Sequence, residues 1–142
     1  AAARGNEKRP EQGAFAEEMS KYLDGAPTFS ESTDAEEVVG NGDKNSATFV
    51  QVMKSTGVDR HRMHQLDTQF GKLTSERPDL LGSFRVWTGP TSCIELAYFT
   101  SETEARAGEA KEMPPEVAQL MSEFGDLMQN TEFIDLVEPT IA

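Results

Sequence analysis

Apolar positions divide Ala47–Val137 into a strand, a helix, two strands, a broken helix and a strand. Ala47–Ser55 is short, apolar and β-branched, the composition of a strand. Thr56-Gly57 breaks it, and Asp59 is placed to cap a helix. There Met63, Leu66, Phe70 and Leu73 recur at three- and four-residue spacing as one apolar stripe. Pro78 ends that pattern, because the residue before a proline avoids helical angles. Leu80–Thr88 and Thr91–Phe99 flank Gly89-Pro90, a turn signal, and a hairpin centred there sets Arg85 opposite Glu95. Ser101-Glu102-Thr103-Glu104 starts a helix with acids where the helix dipole favours them. Pro114-Pro115 interrupts it, and Val117, Leu120, Met121, Phe124, Leu127 and Met128 give the continuation a broad apolar face. Glu132–Val137 reads as the last strand. The order predicts an α+β, ferredoxin-like βαββαβ domain over 47–142, an antiparallel four-stranded sheet with helices on one face.

The N-terminal segment repeats the end of this plan. Pro10-Glu11 matches Pro115-Glu116, and Phe15, Met19, Tyr22 and Leu23 match Leu120, Phe124, Leu127 and Met128 at one constant offset. Residues 1–36 are therefore read as the closing helix and strand of an incomplete first repeat, with Pro10–Leu23 helical and a strand through Thr28–Ser32. Residues 37–46, with Gly40-Asn41-Gly42-Asp43, read as a linker. A lone helix and strand cannot bury its apolar face. The chain is thus expected to be part of a longer tandem protein.

Alternation separates two faces of the sheet. One carries Val50, Val52, Phe84, Val86, Ile94, Leu96, Ile134 and Leu136, nearly all aliphatic, and is expected to lie under the helices. The other mixes Phe49, Gln51, Met53, Ser83, Arg85, Trp87, Cys93, Glu95, Phe133 and Asp135. An apolar wall with a few convergent polar groups has the character of a small-molecule pocket. From this face Phe49, Gln51, Met53, Arg85, Trp87, Glu95 and Asp135 are the candidate pocket residues. Its aromatic content is too large to leave wet, so a homo-oligomer, specifically a dimer, is expected to cover it.

Composition narrows the partners. A net charge of −12 repels phosphate backbones, which excludes nucleic acid binding through an electrostatic footprint. No apolar run approaches the roughly 20 residues that span a bilayer, and 1–9 has no apolar core to serve as a signal peptide. A cytoplasmic protein without a membrane partner is the expectation. A single cysteine, Cys93, allows neither an internal disulfide nor a thiolate zinc cluster, and reads as a small packed hydrophobe.

Over Ala47–Val137 the sequence resembles the dimeric α/β barrel superfamily, in particular its antibiotic-biosynthesis-monooxygenase-like domains. The resemblance rests on Phe49-Val50-Gln51-Val52-Met53, on the long helix Asp59–Leu73, and on Leu81-Gly82-Ser83 opening the next strand. It rests also on Tyr98-Phe99-Thr100-Ser101-Glu102-Thr103-Glu104-Ala105 leaving the third strand. Arg9–Gly13 and Thr28–Asp34 look like the end of a first domain in actinobacterial tandem members. The resemblance implies sheets paired into a dimeric or pseudo-dimeric barrel whose interior is the mixed face. It implies no single reaction. Ser101–Met128 lacks the histidine that haem-degrading members carry on this helix, which discounts that branch, and no cofactor is expected.

Two functions follow. One is a cofactor-independent monooxygenase-like enzyme on a small, partly aromatic substrate near Trp87, with Arg85 polarising an oxygen. The alternative is a non-catalytic small-molecule-binding or oligomerisation domain. Arg85 and Glu95 also suit a purely structural cross-strand ion pair, and Trp87 and Phe49 suit packing. Asp135 would serve as a base only if buried. His61 and His64 lie one helical turn apart, but Arg60-His61-Arg62 surrounds them with positive charge, so no metal is expected.

Overall fold

The computed structural model describes residues 10–25, 31–40, 42–71 and 76–140, without the side chain of Gln12. It divides into two units, Ala1–Ser30 and Glu31–Ala142. In the first, α1 (Pro10–Ser20) is a helix that ends three residues short of the Leu23 expected from the repeat, and Phe15, Met19, Tyr22 and Leu23 are exposed. Of the strand expected through Thr28–Ser32, residues 28–30 lie outside the described residues, and Glu31 and Ser32 are irregular.

The second unit is α+β. Its elements are β1 (Ala35–Gly40), a short 3-10 turn (Lys44–Ser46), β2 (Phe49–Thr56), α2 (Arg60–Phe70), β3 (Leu80–Gly89), β4 (Ser92–Phe99), α3 (Glu102–Ala110), α4 (Pro115–Leu127) and β5 (Thr131–Val137). The sheet is five-stranded and antiparallel, in the order β1-β3-β4-β2-β5. Local signals act where expected. The Asp59 side chain accepts from the Arg62 N–H to cap α2, and the Ser101 hydroxyl accepts from the Glu104 N–H to cap α3. Gly57, at φ +74°, makes the turn from β2 toward α2, a conformation that costs glycine little. Leu73 lies outside the described residues, and α2 ends at Phe70.

Two expectations change. Most of the strand β1 falls within the segment read as linker. Its short run Glu36-Glu37-Val38-Val39 pairs with β3, with a bulge between Glu37 and Val39. Gly82 permits this approach, since a Cβ there would stand 2.9 Å from the Val39 carbonyl oxygen.

The second change concerns the faces. The helices cover the mixed face, not the aliphatic one. The buried core holds Phe49, Met53, Trp87, Cys93, Ala97 and Phe99 from the sheet, Val58 from the β2–α2 turn, and Met63, Ala105 and Met128 from the helical layer. On the aliphatic face Val50 is buried, but Val52, Phe84, Val86, Ile94, Leu96 and Ile134 are only half-buried and Leu136 is exposed, while on the mixed face Phe133, on the edge strand β5, is exposed. The reason is polar satisfaction. Arg85 and the Trp87 indole are buried with partners that α2 and β1 bring, Asp67 and Glu36, and Glu95 is buried against Arg85 itself, whereas the aliphatic face needs no directed contact.

Candidate functional site

The hairpin register places Arg85 opposite Glu95, as the turn signal predicts. Both side chains point under the helices. Arg85 is 0% exposed and Glu95 5%. Arg85 Nε donates to Glu95 Oε2 at 2.9 Å, and Nη2 is 2.8 Å from the same oxygen. On its other side Nη1 and Nη2 donate to Asp67 Oδ2 and Oδ1 at 2.7 and 3.1 Å, a bidentate pair. Asp67 reaches this position because α2 presents Met63, Leu66, Asp67 and Phe70 at three- and four-residue spacing toward the sheet. A longer contact joins Nη1 to Glu36 Oε1 at 3.5 Å.

Burial opposes both ionised groups. For Glu95 desolvation outweighs the attraction of Arg85 and a hydrogen bond from Ser83, so its pKa is raised. For Arg85 the desolvation is outweighed by Asp67 and Glu95, which hold it firmly protonated.

Glu36 is the hub of the neighbouring edge. Its Oε1 accepts from Trp87 Nε1 at 2.7 Å and is 3.1 Å from His64 Nε2. Burial alone would raise the pKa of Glu36, but the bonds from Trp87 and His64 lower it on balance. Trp87 is sealed further by Arg60, 4.6 Å above its ring, and by the edge of His64 at 6.0 Å. Arg60 is held by Asp34 through two hydrogen bonds of 2.6 and 2.8 Å.

Glu36, His64 and Asp67 each offer a ligand atom within 4.8 Å of the others. The Arg85 guanidinium already occupies both oxygens of Asp67 and supplies the positive charge this group attracts, so it reads as an ion-pair cluster. His61 turns away and meets Gln65 instead. Cys93 is 1% exposed, and burial pushes its thiol pKa up, so it packs as expected.

Beside the ion pairs lies a cavity of about 220 Å³. The sheet gives its floor, with Gln51, Met53, Ser83, Arg85, Glu95, Ala97 and Phe99. Asp67 and Phe70 of α2, Val117, Met121 and Phe124 of α4, and Val38 and Val39 of β1 wall it in. Glu76, Arg77, Glu109, Lys111 and Glu112 stand around the same space. The edge-on contact of Phe70 and Phe124, with centroids 5.4 Å apart, joins the two helices beside it.

Of the candidate pocket residues, Gln51, Met53, Arg85 and Glu95 line this cavity. Phe49, Trp87 and Asp135 do not. Phe49 is fully buried against Phe99 and beneath Arg106. Trp87 is committed to Glu36, Arg60 and His64. Asp135 is exposed, paired with Arg106 and accepting from Gln51. The structure adds Asp67 and Glu36 to the site, neither of which is among the residues expected from the sequence. Asp67 was legible as a carboxylate set within an apolar helix stripe, and Glu36 as part of a short β-branched run.

Comparison with family models, curated proteins and solved structures gives no match.

Proposed function

We propose that residues 31–140 are a ferredoxin-like small-molecule-binding domain, with the ligand between the sheet and helices α2 and α4. The observation that carries this reading is the cavity itself, apolar walls closing on Gln51, Ser83 and Glu95. Its volume of about 220 Å³ exceeds the ~150 Å³ of an engineered apolar cavity that takes up benzene, so one ring with a substituent fits. Binding to the folded state stabilises it by mass action, so a thermal-shift screen of ring-sized compounds is the test. Val117→Phe, which fills the cavity from α4, should abolish the shifts while leaving the unfolding transition cooperative. Shifts that survive Val117→Phe would place binding elsewhere and remove this reading.

A catalytic version, a cofactor-independent oxygenase on a small, partly aromatic substrate, draws on one observation. Glu95 is a buried carboxyl of raised pKa beside the cavity, the character of a general base. Oxygen consumption with a bound ligand, lost in Glu95→Gln, would distinguish turnover from binding. Arg85 has no role in polarising a substrate in either version, because its donors face carboxylates.

We propose further that two copies pair through the aliphatic face, on Val52, Phe84, Val86, Ile94 and Leu96. These side chains stand half-buried on the side away from the helices, and a two-fold axis would set the aliphatic patch against itself. The barrel would then close on this face rather than on the mixed one.

A further inference from the structure

We propose that the cavity selects a small ligand whose polar group donates hydrogen bonds and is uncharged or cationic, a ring-sized amine being the best fit, and rejects organic anions. This deepens the binding reading above and rests on it. The buried cation of the lining is Arg85, and a guanidinium has five N–H donors. Four hydrogen bonds use them, Nε to Glu95, Nη1 and Nη2 to Asp67 and a long one from Nη1 to Glu36, and Nη2 also stands 2.8 Å from Glu95 Oε2 as an ion pair.

An incoming carboxylate or phosphate would have to displace Asp67 or Glu95. That would strand a buried negative charge among other acids. The other described lining cations offer no substitute. Arg77 is turned onto Asp79, with Nη2 2.7 Å from Oδ2. Lys111 sits at the exposed rim, 3.9 Å from Glu76, where solvent screens it.

Donors are received differently. A carboxylate presents about four lone-pair sites. Both Arg85 contacts to Glu95 fall on Oε2. Acceptor capacity therefore remains on a group that lines the cavity. The excess of carboxylates around the space, Asp67, Glu76, Glu95, Glu109 and Glu112 against Arg77, Arg85 and Lys111, favours a cation in the same direction.

The test uses the whole chain and four probes of one skeleton: benzylamine, benzyl alcohol, benzoate and toluene. Backbone amide shifts of Ala97 and Phe99 report occupancy. Benzylamine and benzyl alcohol should bind at least about tenfold more tightly than benzoate, and Glu95→Gln should weaken benzylamine about tenfold with little effect on toluene. Benzoate binding as tightly as benzylamine overturns the proposal. Toluene equal to benzylamine overturns the selectivity while leaving the cavity as a binding site. No response to any probe overturns both. If Glu95→Gln does not fold, the ranking of the four probes on the native chain decides alone.

Discussion

Arg85 Nε lies 2.9 Å from Glu95 Oε2 across the β3–β4 hairpin, and both side chains are buried beneath α2 and α4. A buried pair of this kind is costly to break from one side and much less costly to remove whole. Arg85→Met should therefore destabilise by about 3–5 kcal/mol, since Glu95 and Asp67 both lose their partner. Arg85→Met with Glu95→Leu should recover part of that loss, and adding Asp67→Leu should recover most of the remainder. Urea denaturation of the series measures the coupling. Equal stability of the single and triple variants would show that the pair is not a unit.

Glu95 and Glu36 should give the unfolding curve opposite pH dependences. The folded pKa of Glu95 is raised, so its contribution to stability is complete below the usual value of 4.5 and is lost as pH rises through the folded value. The folded pKa of Glu36 is lowered, so its contribution is present above 4.5 and is lost as pH falls through the folded value. Urea midpoints measured against pH should flatten on the alkaline side in Glu95→Gln and on the acid side in Glu36→Gln. The opposite assignment would refute the burial argument for Glu95.

The edge strand β1 is fastened to the hairpin by one side chain in particular. Glu36 accepts from the indole of Trp87, which is 2% exposed, so Glu36→Ala leaves a buried N–H without its partner. The expected cost is about 1–3 kcal/mol. Hydrogen exchange should quicken first at the β1 amides paired with β3. Unchanged protection there would mean that backbone pairing alone holds the strand.

Pairing through the aliphatic face makes a separable prediction. Leu96→Glu places a charge on a half-buried position away from the helical core, so the fold should persist while association is lost. Sedimentation at micromolar concentration should then show a shift from twice 15.6 kDa to 15.6 kDa. A native chain that sediments as a monomer would remove the paired-barrel reading. A dimer unaffected by Leu96→Glu would place the interface on another surface.

The sequence by itself determined the elements of Ala47–Val137, because local physics governs them. Asp59 and Ser101 cap helices through neighbouring amides, Pro114-Pro115 separates α3 from α4, and the turn after Gly89 sets Arg85 against Glu95. Alternation also sorted the residues correctly into two faces. It assigned the helices to the wrong one of those faces, the aliphatic one, since both contain enough apolar surface to attract a helix. Tertiary structure decided this through long-range polar partners. Asp67 from α2 and Glu36 from β1 meet Arg85 and Trp87 only in the folded chain, and those contacts make the mixed face the buried one. The same contacts occupy the Arg85 and Trp87 donors, while Glu95, Gln51 and Ser83 line the cavity beside them. Strand β1 is not legible in the sequence for a related reason: an edge strand of six residues carries little pattern of its own and is fixed by the backbone of β3 beside Gly82.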